Sequence, residues 1–372
     1  MKVAILTSNL AKISEEVRRG PEIFVYDFVT NLIRSLSNNK IEVTVFASGD
    51  SQLPVKVESI QHHSSLEDPD IGLPYANYFE LALISKAFLK ENDFDLYHVH
   101  IGNGEIVLPF AQFIKKPILI TLHSNLGFSY VNKYFSLFKE LPNVFFISIS
   151  NAQQKLFPEL NYLKTIYHGI NLREFSFSEN PKDHILWAGR GAPEKGVEIV
   201  FDLLKTLNKN GRIFPIIKEK HRQWLRNLFK DKYNNIKVGY DLLREQLIYE
   251  YQQAKLFLFP IKWEEPFGLV LIEAMACGTP VVAFARGSVP EIVKDGETGF
   301  IVNSSDEDIR GNWIIKKTGI EGIKEAIDKI YSLSEDEYKK MRLDCRNHIE
   351  KNFSAEKMVN EYKTVYQQIV SQ

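Results

Sequence analysis

The chain has 372 residues, 44% hydrophobic and 25% charged, with 46 basic residues against 47 acidic ones. A single core rarely grows past ~250–300 residues, so two domains are expected, and the apolar content excludes wholesale disorder. A net charge of −1 argues against a protein that lives on a nucleic-acid backbone, which is usually basic. Cys277 and Cys345 are the only cysteines; two thiols make neither a disulfide framework nor a four-cysteine zinc site, and a cytoplasmic location is the expectation. The apolar run Met1–Ser8 is too short for a secretory h-region. The richest apolar window, Phe267–Ala285, is broken by Glu273, Gly278 and Pro280, so no membrane-spanning helix is expected.

In chain order, strands are predicted at Lys2–Leu6, Glu42–Ala47, Leu96–Val99, Ile118–Leu122 and Val144–Ile149. Several are continuously apolar, the pattern of strands buried on both faces of a parallel sheet. Amphipathic stretches at Ile23–Ser37 and Tyr78–Leu89 alternate with them, which predicts βαβ units in a doubly wound sheet. The polar stretch 171–183, with Pro181, reads as an interdomain linker. The rhythm then resumes: strands at His184–Ala188, Arg212–Ile217, Ile236–Val238, Leu256–Phe259, Pro280–Ala283 and Gly299–Val302, with helices from Glu194 and over Leu269–Cys277. Helices Ile320–Leu333, Glu335–Lys351 and Ser354–Val370 complete the chain. The expected division is a first domain over 1–170, a linker over 171–183, a second domain over 184–352 and a terminal helix over 353–372.

Three groups carry chemistry. In the first, a strand runs into Gly189 and Arg190, and Lys195 follows at a helix start. Ligands of open α/β sheets bind at the carboxyl ends of strands. A cation at a helix start opposes the dipole, which makes sense where a phosphate is bound: arginine offers a fork and lysine a point charge. Two solvated surface cations are the plainer alternative. The loop lacks the third glycine of a dinucleotide fingerprint and the Lys-Ser/Thr of a P-loop.

In the second group, Glu265, Phe267, Gly268 and Leu269 lead into a helix bearing Glu273. Free amides at that helix start form an anion site. Glu273 in an apolar helix needs partners, either ligand hydroxyls or a neighbouring loop. Eight helical residues rise ~12 Å, so Glu265 and Glu273 are too far apart for a glycosidase acid/base pair at ~5–9.5 Å. They read as two grips on one long ligand.

The third group is His123, at the end of a strand, with His98 and His100 on the strand before it. No helical metal-ligand spacing appears, and a lone histidine is more often structural. A loop at Gly20, Pro21 and Glu22 is expected before the first helix.

Together these residues resemble the nucleotide-sugar glycosyltransferases of family 4, which have the two-domain GT-B fold. The resemblance rests on Glu265 and Glu273 separated by seven residues, on Gly189-Arg190 with Lys195-Gly196, on Val289–Gly299, and on Ser148–Gln153. It implies two Rossmann-like parallel-sheet domains facing a cleft, with the terminal helix crossing back to the first. It implies that Arg190 and Lys195 neutralise the donor diphosphate and that Phe267, Gly268 and Leu269 bind phosphate or sugar through their backbone. Gly189 and Gly20 would lie against the donor. Glu273 would hold the ribose, Glu265 the transferred sugar, and His123 would stand beside the reacting centre. Transfer of a hexose with retention, without metal or other cofactor, is the implied reaction. The partners implied are a nucleotide-sugar donor and a saccharide, lipid-linked or small-molecule acceptor; nucleic acid is not among them, and peripheral contact at the inner membrane face is left open. A sugar phosphorylase, an epimerase or a non-catalytic nucleotide-sugar-binding subunit are the alternatives. The sequence departs from the family pattern at Ser124, where an acid is common, and at His168–Asn171 before the linker.

Overall fold

The apolar runs are parallel strands, and the chain divides into two units: Met1–Gly169 with Ala355–Gln372, and Ile170–Ser354. The computed structural model describes residues 1–17, 19–36 and 41–371.

The first unit holds β1 (Lys2–Leu6), β2 (Glu42–Phe46), β3 (Lys56–Glu58), β4 (Leu96–Val99), β5 (Ile118–Thr121), β6 (Val144–Ser148) and β7 (Tyr162–Thr165). Their order is β3-β2-β1-β4-β5-β6-β7, and every neighbouring pair is parallel. The helices α1 (Gly20–Arg34), α2 (Gly72–Phe88), α3 (Leu108–Ala111), α4 (Ser129–Phe135) and α5 (Asn151–Leu156) connect them. The winding reverses between β1 and β4, so a crevice opens at the carboxyl ends of these two strands.

The second unit holds β8 (Ile185–Arg190), β9 (Gly211–Ile216), β10 (Ile236–Val238), β11 (Leu256–Phe259), β12 (Val281–Phe284) and β13 (Gly299–Val302). The order β10-β9-β8-β11-β12-β13 is again all parallel, with the reversal between β8 and β11. Its helices are α6 (Val197–Leu207), α7 (Arg222–Leu228), α8 (Arg244–Gln253), α9 (Leu269–Ala276), α10 (Val289–Ile292), α11 (Gly319–Ser332) and α12 (Glu335–Asn352).

Period-two alternation explains the continuous apolar strands. Ala4 and Leu6 join one buried cluster of the first unit, while Val3 and Ile5 join the other. The second cluster is closed by the terminal helix α13 (Ala355–Val370), whose Met358, Val359, Tyr362, Val365, Tyr366 and Ile369 pack with Phe24, Val25, Phe28 and Leu32 of α1. Spacings of three and four put those six side chains on one helical face. Among the described residues no helix is long and apolar enough to cross a membrane.

Four expectations are corrected. Gly20, Pro21 and Glu22 are not a loop but the first turn of α1, where a proline lacking its N–H costs nothing. That helix ends at Arg34, and Ser37 lies outside the described residues. The helix expected from Glu194 begins at Val197: Pro193–Lys195 form a separate 3-10 turn, and Gly196 interposes a left-handed residue at φ 71°. Lys195 therefore precedes α6 and is not in its first turn. Residues 171–183, read as a linker, are part of the second unit; Phe175 is buried there and the Ser178 carbonyl accepts from Arg342. The short strands β3 and β7, at the two edges of their sheet, escaped prediction because Lys56–Glu58 and Tyr162–Thr165 lack a continuous apolar run.

Candidate functional site

In the second unit the loops after β8 and β11 meet at the topological switch point. β8 ends on Gly189 and Arg190, and the chain turns through Pro193–Lys195 before entering α6. Gly196 allows this close approach. A Cβ there would stand 2.0 Å from the Pro260 carbonyl oxygen, and its φ is left-handed. Lys262 N–H then donates to the Glu194 carbonyl at 2.9 Å, and the buried Trp187 donates from Nε1 to the Lys195 carbonyl at 3.4 Å. Gly196→Ala is expected to cost about 1–3 kcal/mol and to displace Lys195. A thermal melt checks the first effect and nucleotide affinity the second.

Both predicted cations converge on Trp263. The Arg190 guanidinium lies 5.3 Å and the Lys195 ammonium 4.7 Å from its ring centroid. Such distances are attractive for a cation over an indole. Lys195 Nζ pairs with Glu265 Oε2, and Trp263 Nε1 donates to the same oxygen at 2.8 Å. Arg190 has Glu194 at 3.5 Å. Glu265 is 8% exposed, and these partners offset the cost of burying its carboxylate.

The segment carrying Glu265 is held by groups that sequence reasoning missed. Ser288 N–H donates to the Glu265 carbonyl at 2.9 Å. Gly287, at φ 56°, permits this, since a Cβ would fall 2.2 Å from the same carbonyl oxygen. Next door, Glu264 accepts from Arg310 at 2.7 Å, from Arg286 at 3.3 Å and from the Gly287 N–H at 2.8 Å. Asp308 closes the ring by pairing with Arg286 at 2.9 Å and Arg310 at 2.7 Å. Burial raises the Glu264 carboxyl, but Arg310, Gly287 N–H and Arg286 outweigh it and leave its pKa below the ordinary value. Trp263, two residues before Glu265, was the one signal available in the sequence. The ring joins three loops and left none.

α9 starts at Leu269 with Gly268 as its N-cap, and no side chain among the described residues caps it. Phe267 is buried, its ring 6.0 Å from Phe353. Glu273 is half-buried and accepts from the Tyr251 hydroxyl at 3.0 Å. Glu265 and Glu273 thus have separate partners. Gly278, at φ 87°, ends the helix, its N–H donating to the Met275 carbonyl, the expected C′ role.

The first unit holds His123 and Gly20. Gly20 has open space where a Cβ would be, so sterics do not require glycine there. His123 is two residues past β5 and belongs to a cluster with His98, His100 and His168. His100 Nδ1 and His123 Nε2 are 2.9 Å apart, and the His168 ring stacks 5.6 Å from that of His123. Phe24 touches His100, His123 and His168 at 4.5–5.2 Å. Burial depresses His98, His100 and His168 well below the ordinary pKa, with neighbouring imidazoles adding to it, and burial lowers His123 to about 3.

These histidines fold neutral, whereas the unfolded chain protonates near pH ~6.5. The unfolded state therefore binds more protons below that pH. The stabilisation is complete above pH ~6.5 and is lost as pH falls through it, by up to about 1.4 kcal/mol per pH unit for each histidine. Urea melts at pH 7.5 and 5.5, reporting on the first unit, check this; equal midpoints would refute it.

Two α/β units, each built on an all-parallel sheet with a polar cluster at the carboxyl ends of its strands, have the architecture of the GT-B class. The family described as Glycosyltransferase Family 4 matches residues 27–173, and that described as Glycosyl transferases group 1 matches residues 170–351. The chain belongs to family 4 of the glycosyltransferases. It is similar to an uncharacterized glycosyltransferase of Methanocaldococcus jannaschii, 24% identical over 92% of this chain and 93% of that one. Its fold is that of sucrose-phosphate synthase from Thermosynechococcus elongatus (TM-score 0.75, 19% identity, covering 100% of this chain and 99% of that one). HepE from Anabaena, solved with UDP-glucose, gives a TM-score of 0.72 at 17% identity, covering 99% of this chain and 100% of that one.

Proposed function

We propose that this glycosyltransferase moves a hexose from a nucleoside diphosphate sugar to an acceptor hydroxyl with retention of anomeric configuration. The observation that carries the reading is the convergence of Arg190, Lys195 and Glu265 on Trp263 at the switch point of the second unit. Each cation has a carboxylate partner, Glu194 or Glu265. An incoming diphosphate competes for Arg190 and Lys195, and the Glu265 carboxylate so released turns to sugar hydroxyls. The bond from the sugar C1 to the phosphate oxygen breaks, and the nucleoside diphosphate leaves with the electron pair. The acceptor oxygen bonds to C1, and its proton passes to the departing phosphate or to solvent. Negative charge grows on the diphosphate during this step, so fixed cations favour the transition state over the ground state.

The backbone of Phe267, Gly268 and Leu269 at the uncapped start of α9 is assigned to phosphate or sugar, and Gly189 to close approach of the donor. Glu273, already positioned by Tyr251, is assigned to the ribose hydroxyls. His123 and Gly20 are assigned to the first unit's share of the reaction. No metal is required in this scheme, because two side-chain cations meet the diphosphate; activity unaffected by a strong chelator is the expected result. The acceptor is a saccharide, lipid-linked or small-molecule hydroxyl. A cytoplasmic location, with the membrane touched at most from its surface, accords with two buried, unpaired cysteines.

The test is a thermal-shift panel of UDP-, GDP- and ADP-hexoses, with UDP-sugars first because HepE was solved with UDP-glucose. A donor at 100 times its Kd adds about 2.7 kcal/mol. Product mass and the anomeric proton coupling then report transfer and retention. If no nucleotide sugar raises the melting temperature, the donor-site reading fails.

A further inference from the structure

We infer that Tyr366, on the terminal helix, fixes which ring nitrogen of His123 carries the proton, acting through His98 and His100. All four residues belong to the first unit, and Tyr366, His98 and His100 are buried.

The chain of contacts starts at the phenol. Tyr366 Oη lies 2.5 Å from His98 Nδ1, its one hydrogen-bond partner among the described residues. Burial raises the Tyr366 pKa well above its ordinary value, so the phenol keeps its proton. A buried hydroxyl hydrogen with a single neighbour must point at that neighbour. Tyr366 therefore donates, and His98 Nδ1 is bare.

A neutral imidazole carries one N–H. His98 thus has its proton on Nε2, which donates to Thr121 Oγ1 at 2.8 Å. Thr121 Oγ1 is in turn 3.0 Å from Tyr362 Oη, so the same helix holds both ends of the His98 ring.

The next link is His100 Nε2, 3.3 Å from the bare His98 Nδ1. Two ring nitrogens at that distance repel unless one bears a hydrogen. His98 Nδ1 has none, so His100 Nε2 supplies it as a second, weaker donor to that nitrogen. His100 Nδ1 is then bare and accepts from His123 Nε2–H at 2.9 Å. His123 is left with an unprotonated Nδ1. It can accept a hydrogen bond from a hydroxyl there but cannot donate one. His98 and His100 are positioning residues, and so is Tyr366.

The tautomer stands on these contacts alone, whereas its effect on turnover rests on the assignment of His123 to the transfer reaction. The test uses the full chain with nitrogen-15 histidine, the His123 signals being identified by their loss in His123→Gln. The expected wild-type spectrum has a protonated Nε2 and a bare Nδ1 at His123. Tyr366→Phe keeps the ring and removes the donor, and His100→Phe removes the relay. Each should mix or invert the His123 tautomers and lower kcat at least about tenfold, the scale of one lost hydrogen bond, with KM for the donor unchanged. His100→Asn restores an acceptor facing His123 and should recover both spectrum and rate. A protonated Nδ1 in the wild type overturns the inference, as do His123 signals unmoved in both Tyr366→Phe and His100→Phe. Full activity of His123→Gln would instead remove His123 from the reaction, with the spectrum still deciding the relay.

Discussion

Replacing Lys195 by alanine is expected to lower kcat/KM by about 10²–10³-fold, the usual effect of removing one preorganised charge-stabilising group. Lys195 is the better buried of the two cations, its side chain 13% exposed against 37% for Arg190. In that water-poor position its field on a departing diphosphate is less screened. The change has a second consequence. Glu265, its side chain 9% exposed, loses its ammonium partner and keeps the Trp263 N–H. An under-compensated buried carboxylate destabilises the fold. Activity and stability can be separated by adding Glu265→Gln to Lys195→Ala. The double variant should regain melting temperature without regaining kcat/KM. Full transfer by Lys195→Ala would remove Lys195 from the diphosphate site.

The largest expected loss of stability is at Arg342, which is 1% exposed. Its guanidinium donates to the carbonyls of Ser178, Ala254, Gln252 and Cys277, with the strongest contact, to Ser178, at 2.7 Å. One side chain thus joins α12 to the stretch after β7, to the end of α8 and to the C-cap of α9. Truncation leaves several buried carbonyls without donors, at about 1–3 kcal/mol each when unrelieved. Water entering the space offsets part of this, so Arg342→Ala is expected to cost about 3–5 kcal/mol, the range for a broken buried charge. For a unit of this size each kcal/mol moves Tm by ~2–4 °C, so a fall on the order of 10 °C is expected by calorimetry. Arg342→Lys should recover only part of it, because an ammonium lacks the planar fork. An unchanged Tm in Arg342→Ala would contradict this role.

Arg342 also shows where sequence reading stops. On α12 it shares a face with Tyr338, Met341, Cys345 and Ile349, all buried. By periodicity it is a charged residue in an apolar stripe, and nothing local names its partners. The Ser178 carbonyl is 164 residues away, and Tyr366 and His98 are separated by 268. Trp263 was within reach, two residues from Glu265, yet its role as a shared platform depends on Arg190 arriving at the end of β8 and Lys195 from the turn after it. The ring of Glu264, Arg286, Asp308 and Arg310 was out of reach for the same reason.

The sequence by itself determined both sheets except the short edge strands β3 and β7. Continuous apolar runs bury on both faces of a parallel sheet whatever their partners, and Gly278 sets a helix end through its own backbone freedom. It also determined the family, through the spacing of Glu265 and Glu273 and of Arg190 and Lys195. Only the tertiary structure decided which charges are paired, which histidines share protons and which glycines are irreplaceable. Those properties belong to pairs of distant residues: Gly196 has no room for a side chain because Pro260 stands beside it, and a proton on His123 is fixed only because a tyrosine from the other end of the chain is buried against His98.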